Sequence, residues 1–122
     1  MGLNRIVAAI FGVVYLIVGA YGFIGAGDDN MLIGLFEVNA LHNIVHVVIG
    51  LVLLWGAMST PMAVMMNRVV GIVLIALGIL GIFVENPLDL IPISGNDVWL
   101  HLVSGVILLG AGLMSGRETA AA

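Results

Sequence analysis

The chain has no cysteine, and only three basic and seven acidic residues stand among its 122. Without cysteine there are no disulfides, no thiol nucleophiles and no thiolate metal ligands. Charged residues make up 8% of the chain and hydrophobic residues 62%. A soluble domain averages about a quarter charged, so this chain has too little polar surface to face water and reads as an integral membrane protein. The three arginines, Arg5, Arg68 and Arg117, are scattered. No basic patch exists to meet a phosphate backbone, which excludes nucleic-acid binding.

What the chain does have is apolar length. Four runs predict membrane-spanning helices at about residues 4–24, 40–58, 61–84 and 95–114. Each is close to the ~17–25 residues that cross a hydrocarbon core of about 30 Å. The expected fold is all-α: an integral membrane four-helix bundle, up-down-up-down, with residues 1–122 forming one transmembrane domain. Ser59-Thr60-Pro61 reads as a cap followed by proline at a helix start. Residues 31–36 are expected along the bilayer surface. The connection holding Pro87 and Pro92 cannot be helical and should pack on the outer end of the bundle. The arginines fall at the amino terminus, the second connection and the carboxy terminus, all on one side of such a chain. Six acids, Asp28, Asp29, Glu37, Glu85, Asp89 and Asp97, fall toward the other side. By the positive-inside rule both termini are expected in the cytoplasm.

The chain is also one design written twice. Asn39, His42, His46 and Gly50 recur in register as Ser94, Asp97, His101 and Gly105. Gly12, Gly19 and Gly22 recur as Gly71, Gly78 and Gly81, and Asn4-Arg5 recurs as Asn67-Arg68. A duplicated helical hairpin follows. Because the first run has an internal partner in the third, it reads as a span and not as a signal peptide. The abundant glycines permit close helix approach in lipid, where no hydrophobic force drives association.

What the hairpin repeats is a histidine inside an apolar helix. At about 100° per residue, Asn39, Asn43, His46 and Gly50 share one face of the second helix, and Ser94, His101 and Gly105 share one face of the fourth. Polar faces avoid lipid, so both turn inward. His46 and His101 stand seven residues past their caps, about 10 Å along the helix. Diagonal helices in a ring with side spacings of about 8–10 Å have axes roughly 11–14 Å apart, a gap two imidazoles can bridge. Histidine and carboxylate donors suit zinc, iron or copper. The candidate metal ligands are His46 and His101, with His42 and Asp97 assisting. Haem iron is a second option, with Gly50 and Gly105 leaving room for a macrocycle. Against a cofactor stands a structural reading, in which His42 and Asp97 occupy ordinary capping positions and the imidazoles satisfy one another. Ionisable groups within a span are costly and usually carry a function. Deeper in the spans only Tyr15 and Ser104 are polar, so no transport path through a single chain is expected, while an interface between copies could still form one. No nucleophile–base motif appears, and an enzyme is not expected.

Arg5 followed by Gly12-Val-Val-Tyr-Leu16, the block from Asn39 to Gly50, and the block from Pro92 to Gly105 together resemble the bacterial membrane family called domain of unknown function 4383. The resemblance runs from about Arg5 to Leu113; Val98 departs from it, standing where asparagine is expected after Asp97. It implies four transmembrane helices and a bacterial inner (plasma) membrane location, and it brings no established activity. From size and composition the expected function is a non-enzymatic accessory or stabilising subunit of a larger bacterial membrane complex. The expected partners are the lipid bilayer and other membrane subunits or further copies of the chain. The alternative is a metal- or haem-binding membrane protein using the paired histidines.

Overall fold

The computed structural model describes residues 2–25, 31–32, 36–37, 39–87, 91–93 and 95–115. Four helices carry the fold: α1 (Leu3–Gly25), α2 (Ala40–Gly56), α3 (Thr60–Phe83) and α4 (Asn96–Leu113). Between α1 and α2, β1 (Met31–Leu32) pairs antiparallel with β2 (Phe36–Glu37). This two-residue ribbon falls in the segment expected to lie along the bilayer surface, whose residues 33–35 lie outside the described residues. The architecture is otherwise the all-α membrane bundle that the apolar runs imply.

Local chemistry sets the helix starts. The Asn39 side chain accepts from the His42 amide at 2.8 Å, satisfying one of the open donors at the head of α2. Ser59 does the same for Met62 at 3.4 Å, with Pro61 in the first turn of α3. For α4 the expected capping box does not form among the described residues. Its N-cap is Gly95, at φ 68°, with no side-chain cap bond, and Ser94 lies outside them. Asp97 therefore falls at the second helical position and not the third.

Three of the helices are long and apolar enough to cross a membrane, while α2, at 17 residues, is a shorter apolar helix. Ile10, Ile17, Ile44, Leu51, Ile72 and Val106 all face outward. Exposed apolar surface on this scale would aggregate in water, and it is the ordinary exterior of a protein solvated by lipid. The inside is a cluster of Tyr15, Leu53, Val70, Leu74 and Leu108, drawn from all four helices.

The helices pack most tightly as two hairpins, α1 with α2 and α3 with α4. Glycines explain the closeness. A Cβ on Gly50 would stand 2.5 Å from the Leu16 amide nitrogen, and one on Gly71 would stand 2.6 Å from that of Leu109. Gly12 and Gly105 complete the same two crossings, so backbone meets backbone at equivalent points of both hairpins. Across the bundle α1 touches α3 directly, whereas α2 and α4 stand further apart.

At the end of the bundle where α1 and α3 begin, the repeated Asn-Arg pair braces the structure. Asn67 Nδ2 donates to both Asn4 Oδ1 (2.9 Å) and the Asn4 carbonyl (3.0 Å), and Asn4 Nδ2 donates to the Ala111 carbonyl (2.9 Å). Arg5 Nε donates to the Ala57 carbonyl just past α2, and Arg68 Nε to the Gly112 carbonyl of α4, each at 2.8 Å. Both guanidinium groups thus sit at helix carboxyl ends, where a cation opposes the negative pole of the dipole.

Candidate metal centre

The opposite end of the bundle holds the histidines. His42 and His46 are one turn apart on α2, and the backbone stagger stacks them on one face. Their Nε2 atoms are 3.0 Å apart and their ring centroids 4.3 Å apart. His101 enters from α4, with its ring centroid 6.1 Å from that of His42 and 5.9 Å from that of His46. One ring nitrogen from each of the three lies within 4.8 Å of the others. All three residues are at most 2% exposed. The wider gap between α2 and α4 is therefore filled by three imidazoles and not by two.

These rings satisfy one another only in part. If His42 and His46 are both neutral, the Nε2 contact requires one to donate and the other to accept, so they must be opposite tautomers. Nδ1 of His46 and of His101, together with Asn43 Oδ1, are buried with no hydrogen-bond partner among the described residues. Each such atom costs about 1–3 kcal/mol if left unmet. Tyr15 stands edge-on to His46, ring centroids 5.2 Å apart. Its hydroxyl approaches Ser104 without closing a well-shaped hydrogen bond.

A first-row transition ion takes imidazole nitrogens at about 2.0–2.1 Å, which puts neighbouring nitrogens of a tetrahedral site roughly 3.3 Å apart. The His42–His46 pair is already close to that bite. His101 needs an inward shift of roughly 1.5 Å at most to complete a three-nitrogen set. Ring tilts and side-chain rotation cover such a distance without moving a helix. The residues present fit a metal ion.

They do not fit haem. Nε2 of His42 stands 3.0 Å from Nε2 of His46, in the space a macrocycle bound to His46 would need. The glycines thought to leave that space are occupied. Gly50 receives the α1 backbone at Leu16 and Gly12, and Gly105 receives the α3 backbone at Gly71 and Ile75. The glycine register is helix packing.

Of the four candidate ligands, the structure brings His42, His46 and His101 together. Asp97, one turn before His101 on α4, is 1% exposed, but its carboxylate falls outside the 4.8 Å group. The duplication explains its place: Asp97 is the counterpart of His42, so His42/His46 and Asp97/His101 are the same i, i+4 pair on two helices. Where Asn43 packs on Gly22 in the first hairpin, Val98 packs on Gly81 in the second. The Val98 departure thus leaves this polar amide in one half only. The bracing role of Asn4 and Asn67 is absent from the sequence reading, although the repeated Asn-Arg pair was its signal.

No curated protein matches the chain, and no solved structure does. A family model matches residues 5–114, over the same stretch that carries both histidine blocks. The chain is a member of the family described as domain of unknown function (DUF4383).

Proposed function

We propose that this protein holds a single transition-metal ion within the membrane, with His42, His46 and His101 as ligands. One observation carries the reading: three imidazole nitrogens from two helices converge within 4.8 Å in a fully buried layer. Desolvating three imidazoles while leaving Nδ1 of His46 and of His101 unmet is unfavourable for a purely structural core, which would use leucine. A bound ion would take the converging ring nitrogens as ligands. The repeated hairpin supplies the reason for a two-helix site, since each half contributes one i, i+4 pair. On charge placement, both chain ends face the cytoplasm and the histidine layer lies near the opposite face. A bacterial plasma membrane fits the family resemblance.

Native mass spectrometry of the protein released from its own membranes in mild detergent tests this. One metal mass per chain is expected, and neither His46→Ala nor His101→Ala should retain it. Full retention in either variant sinks the site. Co-purifying subunits with no metal in any preparation would instead favour the accessory-subunit reading, for which size and an apolar exterior are the support.

A further inference from the structure

We infer that the centre takes an exchangeable ligand on its inner side, a small hydrogen-bond acceptor of the size of azide, held against the hydroxyls of Tyr15 and Ser104. The inference rests on the metal-binding reading above and deepens it.

Two hydroxyls lie just beneath the histidines. Ser104 stands three residues past His101, on the same face of α4 and about 4.5 Å deeper. Gly12 meets α2 at Gly50 and Leu54, and Gly19 meets it at Asn43 and Val47, which brings Tyr15 alongside the turn that follows His46. Tyr15 is 1% exposed and Ser104 2%. The Tyr15 ring stands edge-on to His46 and its hydroxyl reaches toward Ser104, yet that hydroxyl is buried without a well-formed hydrogen bond among the described residues.

Packing accounts for neither group. The Tyr15 ring joins an apolar cluster with Leu53, Leu74 and Leu108. Phenylalanine would serve that cluster as well, and a buried tyrosine hydroxyl ordinarily finds a partner. The duplication sharpens the point. In the register that carries Gly12 and Gly19 onto Gly71 and Gly78, Tyr15 falls on Leu74. In the register that carries His46 onto His101, Ser104 falls on Ile49. Each hairpin thus has one hydroxyl where its counterpart is aliphatic, and the two hydroxyls approach each other beneath His46 and His101.

Each hydroxyl has a proton to donate. An ion held by three imidazoles accepts a further donor atom, as tetrahedral sites do. A small acceptor between them meets both demands, sharing its lone pairs between the metal and the Tyr15 proton. This inner position is defined by Tyr15 and Ser104, whichever groups meet the ion from the outer end. The leucines around the Tyr15 ring offer a larger ligand no polar contact, which restricts the class to small acceptors.

The test loads the purified full-length protein in mild detergent with Co(II), whose visible band strengthens in four-coordinate sites and shifts when one ligand is exchanged. Sodium azide titrated into the loaded protein should shift the band, saturating at one azide per chain. Tyr15→Phe keeps the ring and loses the hydroxyl. It should retain Co(II) in full, with unchanged helicity, and bind azide about 10- to 100-fold more weakly. Ser104→Ala should weaken azide by about 3- to 10-fold. A band that azide leaves unmoved in the native protein overturns the inner position and leaves the metal centre standing. Equal azide affinity in Tyr15→Phe overturns the role of the hydroxyl. Loss of Co(II) from that variant would make Tyr15 a ligand and overturns it as well. A native chain that retains no Co(II) overturns this inference and the proposed function together.

Discussion

Two polar layers interrupt an otherwise apolar bundle, and they differ in how their hydrogen bonds close. At one end, Asn4, Asn67, Arg5 and Arg68 direct donors at named acceptors over 2.8–3.0 Å, most of them carbonyls that a helix end leaves open. Of the side-chain nitrogen and oxygen atoms buried in this layer, Asn67 Oδ1 is left without a partner among the described residues. At the other end, the imidazoles crowd together, and Nδ1 of His46 and His101 and Asn43 Oδ1 go unmet. Asn4 and Asn67 are as buried as the histidines, whereas Arg5 is half-buried and Arg68 exposed, and both layers are a product of the duplication. A closed network has finished its work once the fold has formed. A layer of converging lone pairs has capacity left over, and that capacity is the case for a ligand.

The contrast can be broken outright by removing the frame both layers share. Gly50→Leu places a side chain against the α1 backbone, which cannot yield, and should cost about 3 kcal/mol or more. Helicity followed through a denaturing-detergent titration should show both layers lost together. Next, His101→Ala should empty the centre of metal while leaving the chain folded, read by elemental analysis beside size-exclusion chromatography. The reverse experiment is Asn67→Ala, which strips the Asn4 acceptors of their donor. It should lower stability by about 1–3 kcal/mol in the same titration, and metal retention should not change. The smallest effect belongs to Arg5→Leu. Losing the cation at the carboxyl end of α2 should cost about 0.5–1 kcal/mol, with metal retention again unchanged. If Asn67→Ala instead released the metal, the two layers would be one coupled unit and the contrast would fall.

The helices, the hairpin repeat and the inward-facing histidines were legible because each depends on local spacing, which sequence displays directly. The glycine register was visible but ambiguous, since room for a cofactor and close approach of a backbone use the same residue; the α1 backbone against Gly50 decides it. Reading Asp97 as the third residue of a capping box assumed that α4 starts as α2 does. With Gly95 as N-cap at φ 68°, α4 starts one residue later than that parallel requires. The bracing by Asn4 and Asn67 was out of reach for another reason. Which carbonyls stand open depends on where neighbouring helices end in space. The Asn-Arg pairs are 63 residues apart and the glycine sets 59, so the two signals differ by about one helical turn and do not align as a single repeat.

Seven residues beyond each repeated histidine, about two turns deeper, stand Leu53 and Leu108, with Leu74 between them, and none of the three has any exposed surface. The histidine layer therefore rests on a floor of three buried leucines. These leucines offer no ligand deeper in the bundle, so a metal-loaded protein is expected to hold its ion at one depth, and the quantity to measure is how long the ion stays.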